Sequence, residues 1–183
     1  MKIQALLIID MQKGLFTPAT PRHDAQGVVM RINALAVLLR ERAMPVIYIQ
    51  HNGKRDGDFL PQSEDWQLLD ELKVEPSDIM LSKTANDAFY RTELETILRK
   101  LNVDELLITG CATDFCVEST LQSALVKDFD VIAVADGHTT ADRPHLTAEQ
   151  VIGHHNYLWA DLIATRGKVS VQSFKQISGF LTA

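Results

Sequence analysis

Apolar runs of six or seven residues alternate along the chain with longer segments in which apolar side chains recur every three or four positions. The first run, Ile3–Ile9 (IQALLII), is followed by a 3.6-period segment from about Val28 to Arg42 and by a second run, Pro45–Gln50 (PVIYIQ), which together predict a β-α-β unit. A strand at Asp78–Leu81, a helix opened by Thr92 with Glu95 as the far side of a capping box, and the strand ELLITG (105–110) repeat the theme. A helix to about Lys127, a strand at Asp130–Asp136, a helix from about Thr147 to Thr165 and a short strand near Val169–Val171 complete it. Strands that are apolar on both faces need helices on both sides, so the expected fold is α/β: three layers, α/β/α, around a parallel, Rossmann-like sheet of about six strands, in one domain over residues 1–183. The alternation lapses at His51–Ser63 (HNGKRDGDFLPQS), polar and long enough to serve as a binding loop or lid.

Charge and composition exclude several function classes. A net charge of −6 over 183 residues, with scattered Lys and Arg, argues against a nucleic-acid partner. No apolar run approaches the ~18 residues of a membrane span. The opening MKIQALLIIDMQ has one lysine and a short apolar run that ends at Asp10, so no signal peptide is expected. Two cysteines without metal spacing suit a reducing cytoplasm. The expected partners are a small-molecule substrate and further copies of the same chain.

In an open parallel sheet the chemistry gathers at the carboxyl ends of the strands. The residues there are Asp10, His51, Lys83, the turn Gly110–Cys116 and Asp136. Each alone reads as a cap, a solvated charge or a loop carboxylate. Together they offer a carboxylate, an ammonium and a thiol, the parts of a covalent hydrolytic site. Both cysteines lie in GCATDFCVEST, between a strand-like and a helix-like run, where each is either a small apolar filler or a nucleophile at a helix N-terminus.

Three ordered blocks, LLIIDMQKGLF (6–16), LSKTANDAFYRTEL (81–94) and LLITGCATDFCVESTLQSALVKDFDVIAVAD (106–136), resemble the isochorismatase-like cysteine hydrolase superfamily over nearly the whole chain. The resemblance implies a triad of Asp10, Lys83 and Cys116, leaves Cys111 as a structural neighbour, and implies a cis peptide between Cys111 and Ala112. In such a turn the amides of Ala112 and Cys116 would point at one spot beside the sulfur, as an oxyanion hole. A helix N-terminus and Lys83 lower the Cys116 thiol pKa and an ionised Asp10 raises it; the balance expected is a fall from about 8.5 to about 6.5.

The nicotinamidases of this superfamily resemble one another in an Asp-x-His metal motif after the second strand. Here that place reads IQHNGKRDGD, so neither a metal nor a cofactor is expected, and His51 is read as a substrate contact or a hydrogen-bonded loop residue rather than a ligand. His154 and His155 are adjacent on a helix, face different directions, and are read as packing or interface residues. Phe16, His51, Asn52, Phe59 and Trp66 are the expected substrate contacts, with Phe89 a core residue. The activity implied is hydrolysis of a small amide or carbamoyl compound through a thioester on Cys116. The alternatives are vinyl-ether hydrolysis of an isochorismate-like compound by Asp10, and a catalytically idle binding protein.

Overall fold

A computed structural model describes residues 2–54 and 57–182. Six parallel strands form one sheet in the order β3-β2-β1-β4-β5-β6. They are β1 (Gln4–Ile9), β2 (Val46–His51), β3 (Ile79–Lys83), β4 (Glu105–Cys111), β5 (Asp130–Thr139) and β6 (Val169–Gln172). The helices are α1 (Ala25–Arg40), α2 (Leu94–Lys100), α3 (Glu118–Val126), α4 (Ala148–Ala160) and α5 (Phe174–Leu181).

The apolar runs are continuous because both faces of the sheet are covered. In β1, Ala5, Leu7 and Ile9 join a core shared with Leu94 and Leu98 of α2, Leu121 and Leu125 of α3 and Trp159 of α4. Leu6 and Ile8, turned to the other face, pack with Ile32, Leu35 and Leu39 of α1 and Ile177 and Leu181 of α5. Alternation of side chains across the sheet thus feeds two cores from one strand. The expected three-layer fold is the one observed.

The departures from the predicted elements have local causes. Thr92 does not cap α2: its hydroxyl donates to the Ala88 carbonyl at 2.6 Å and accepts from the Leu94 amide at 3.2 Å, closing a turn before the helix begins. Capping boxes occur instead at Thr147–Gln150 and Ser173–Gln176, the second opening α5, a helix not among the expected elements although Phe174, Ile177 and Leu181 recur at helical spacing. β5 runs on to Thr139, through a register irregularity opposite Ile108–Gly110, so Asp136 lies inside the strand. Its carboxylate accepts from the Phe174 amide at 2.7 Å and its carbonyl from Arg31 at 2.5 Å, which ties β5 to α5 and α1.

Strand order places β1 and β4 side by side where the winding reverses. Their carboxyl ends, with those of β2 and β3, form the crevice in which doubly wound folds bind ligands.

Candidate active site

Asp10 follows β1 directly, with φ 48°, a left-handed conformation that Asp tolerates better than most residues. Its amide donates to the Ile49 carbonyl at 2.8 Å, and its side chain is buried. Across the sheet, Gly110 pairs with Ile9. A Cβ at Gly110, whose φ is +119°, would stand 2.1 Å from the Ile9 carbonyl oxygen, so only glycine lets β4 pass this close to the base of Asp10.

Lys83, the last residue of β3, is buried and spends all three ammonium hydrogens. Nζ lies 2.6 Å from Asp10 Oδ2, 3.0 Å from the Ala85 carbonyl and 3.3 Å from Cys116 Sγ. Removing one partner of a buried ion pair costs about 3–5 kcal/mol, so Asp10 and Lys83 hold each other in place. Cys116 lies in a π-wound turn, Thr113–Val117, that precedes α3. The amides of Phe115 and Val117 both donate to the Ala112 carbonyl at 3.1 Å, which widens the turn. Sγ also lies 3.7 Å from Asn86 Oδ1. The Cys111–Ala112 peptide bond is cis.

The expected fall in the Cys116 pKa is not what this environment produces. Burial and the neighbouring Asp10 charge push the thiol up to about 12, with Lys83 opposing them too weakly to win. Burial likewise raises Asp10 above the usual carboxylate range, against the ammonium of Lys83. The resting site therefore holds a thiol, with the Asp10 carboxylate beside it, rather than a preformed thiolate.

A pocket of about 290 Å³ opens over these groups. His51 and Phe59 line it with their rings edge to face, centroids 6.4 Å apart. Gln12 fixes His51 from both sides: its Oε1 accepts from the His51 amide at 2.8 Å and its Nε2 donates to the His51 carbonyl at 3.1 Å. Burial, followed by the charge of Lys83, lowers the His51 pKa and keeps the ring neutral. Two buried atoms, Asp10 Oδ1 and His51 Nδ1, have no hydrogen-bond partner among the described residues, an arrangement that suits a polar ligand.

The other expected contacts lie elsewhere. Phe16 does not line this pocket; it packs against the α1 core and borders a separate recess with Met30 and Leu69. Trp66 turns its indole N–H to Asn52 Oδ1 at 2.7 Å, and its carbonyl accepts from Gln12 and Gln50. Asn52 and Trp66 therefore brace the loop instead of facing its interior. Phe89 is core, stacked on Phe129. Of the loop His51–Ser63, residues 55 and 56 lie outside the described residues.

Five lining residues are not among the expected contacts: Leu15, Arg22, Asn86, Phe115 and Arg143. Nor is His138, buried behind the π-turn. Asn156 donates to the Ala135 carbonyl at 2.9 Å, so its Oδ1 must accept from His138 Nε2 at 3.0 Å, leaving Nδ1 to accept from the Thr113 hydroxyl at 2.8 Å. Burial lowers the His138 pKa to about 4, so the imidazole is neutral and the turn that carries Cys116 hangs from one tautomer. His155 packs on Trp159 and bonds the Val151 carbonyl through Nδ1, while His154 is exposed. No three His, Cys, Asp or Glu side chains among the described residues converge where they could hold a metal ion, and no described helix is long and apolar enough to cross a membrane.

Comparison with known proteins adds an independent line. Residues 4–165 match the family model for the isochorismatase domain. A streptothricin hydrolase of Streptomyces noursei is 29% identical over 142 residues, 78% of this chain, which spans only 56% of that protein's length. A ureidoacrylate amidohydrolase of Caulobacter segnis is 29% identical over 165 residues, covering 70% of this chain and 69% of its own. A crystal structure of an isochorismatase family protein superposes with a TM-score of 0.85 at 32% identity, covering 94% of this chain and 99% of that one.

Proposed function

The chain belongs to the isochorismatase family of hydrolases, and from that premise we propose that it cleaves a C–N bond, amide or carbamoyl, of a small molecule through a thioester on Cys116. The observation that carries this reading is the position of the Lys83 ammonium, 2.6 Å from Asp10 and 3.3 Å from the Cys116 sulfur at the pocket floor.

Asp10 takes the thiol proton as sulfur attacks the carbonyl carbon, so no thiolate need accumulate beforehand. Negative charge then collects on the former carbonyl oxygen, where the amides of Ala112 and Cys116 receive it; a donor of this kind contributes about 2.7–4 kcal/mol to a transition state. The C–N bond breaks as Asp10 returns the proton to the leaving nitrogen. Water, deprotonated by Asp10, attacks the thioester, and the sulfur leaves and regains its proton. Lys83 keeps the carboxylate ionised despite burial and orients both side chains throughout. The similarity to a ureidoacrylate amidohydrolase supports the choice of a C–N bond.

A panel of small amides and N-carbamoyl compounds, read by ammonia release beside an isochorismate assay, tests this. Ammonia release that disappears in Cys116→Ala is expected. Turnover of isochorismate alone, surviving Cys116→Ala, would replace the reading with vinyl-ether hydrolysis by Asp10.

A further inference from the structure

The pocket carries a charge that the reaction above does not use. Asp10 is matched by Lys83. Arg143 is matched by Asp114, with Nε to Oδ2 at 2.7 Å and Nη2 to Oδ1 at 2.8 Å, and its guanidinium lies 5.2 Å from the Phe115 ring centre. His51 is neutral. Arg22 remains. It lines the pocket with Asp10 and Cys116, its Nε donates to the Leu15 carbonyl at 2.6 Å, and no carboxylate among the described residues forms an ion pair with it.

A guanidinium has five N–H donors, and the Leu15 bond occupies only the one at Nε. It fixes the plane of the group while leaving both terminal nitrogens for a ligand, the geometry that accepts a carboxylate through two parallel hydrogen bonds. Apart from the uncharged Asn86, the remaining walls, Leu15, Phe59, Ala112 and Phe115, are apolar, so a bound anion would find Arg22 in surroundings that strengthen the attraction. At about 290 Å³ the pocket lies at the small end for ligand sites.

We infer that the substrate is a small amido or ureido acid, its carboxylate held by Arg22 while its scissile carbonyl reaches Cys116. The inference rests on the amidohydrolase reading for the carbonyl, but the charge preference can be read without turnover. The probes are N-iodoacetylglycine and its neutral isostere N-iodoacetylglycinamide, with labelling of Cys116 followed by peptide mass spectrometry. The ratio of their rates, divided by the same ratio for free cysteine, should be at least about tenfold, the size of one charge-assisted hydrogen-bond contact. Arg22→Gln should bring that quotient to within about twofold of one, and Arg22→Lys, which keeps the charge without the planar fork, should fall between them. A quotient near one in the unaltered protein, a quotient that survives Arg22→Gln, or no labelling of Cys116 by either reagent overturns the assignment. Hydrolysis of N-carbamoylglycine and N-carbamoylglycinamide separates the two claims. Hydrolysis of neither, with the labelling preference intact, removes the amidohydrolase reading alone; equal hydrolysis of both, with no labelling preference, removes Arg22 alone.

Discussion

Cys111 and Cys116 stand five residues apart, and burial drives both thiols up to about 12, yet their surroundings have little else in common. Cys111 ends β4, fully buried in the core packed by α1, where burial outweighs the charges that reach it. Cys116 sits in the π-turn, 3.3 Å from Lys83, within the field of Asp10, at the wall of a pocket. A raised pKa by itself therefore assigns no role to either cysteine. What separates their surroundings is an ion pair beside the Cys116 sulfur and an open pocket at its side, the setting that the proposed mechanism requires.

The largest expected effect breaks the pair directly. Cys116→Ala should lower turnover by at least ~10³-fold, as removal of a covalent nucleophile does, whereas Cys111→Ala should keep most of it and lose about 1 kcal/mol of stability in thermal unfolding. Next is the acceptor. Asp10→Asn should cost about 10²–10⁴-fold in kcat. In the unaltered enzyme kcat/KM should rise with pH through an apparent pKa above the ordinary carboxylate value of about 3.9, since Asp10 must be ionised to take the proton and burial resists that. A limb at or below that value would mean that Asp10 is not the base.

A smaller effect tests what holds the π-turn. The folded pKa of His138, about 4, lies below its unfolded value of about 6.5, so between these pH values the unfolded chain binds the extra proton. The neutral imidazole's contribution is therefore complete above pH 6.5 and is lost as pH falls toward 4, by up to roughly 3 kcal/mol. Denaturant unfolding at pH 7 and 4.5 in His138→Gln and the unaltered protein should show a shallower pH dependence in the variant; equal slopes would mean that another group carries it. Smallest of all is chelation. Turnover should survive exhaustive EDTA treatment, because base, nucleophile and oxyanion donors are all protein groups in this mechanism; loss restored by zinc would contradict it.

The sheet was legible because each buried strand is an uninterrupted apolar run, and the strand-end rule turned those runs into a short roster of polar residues. Asp10, Lys83 and the turn at Cys116 each stand one step from a recognisable run. The pocket walls were much less legible. Arg22 and Arg143 lie in irregular segments with no periodicity, and only the folded loops bring them to the crevice. Phe16 and Trp66 were misplaced because a loop sequence does not say which way an aromatic turns, and Trp66 turns to Asn52. Asp136 read as a strand-end carboxylate because β5 continues through GHT, a stretch with no apolar signal. The sign of the Cys116 shift was misjudged because a helix terminus and a lysine are visible in sequence, whereas the depth of burial is not.

If Cys116 rests as a thiol beside the ionised Asp10, iodoacetamide labelling of the two cysteines will show it. Rates at Cys111 and Cys116 would be measured at pH 7 in the unaltered protein and in Asp10→Asn. Folded protein should label Cys116 and spare Cys111. Because the Asp10 charge raises the thiol pKa and Lys83 lowers it, Asp10→Asn should speed labelling of Cys116 while hydrolysis is lost. Equal labelling of both cysteines, or slower labelling of Cys116 in Asp10→Asn, would contradict the account.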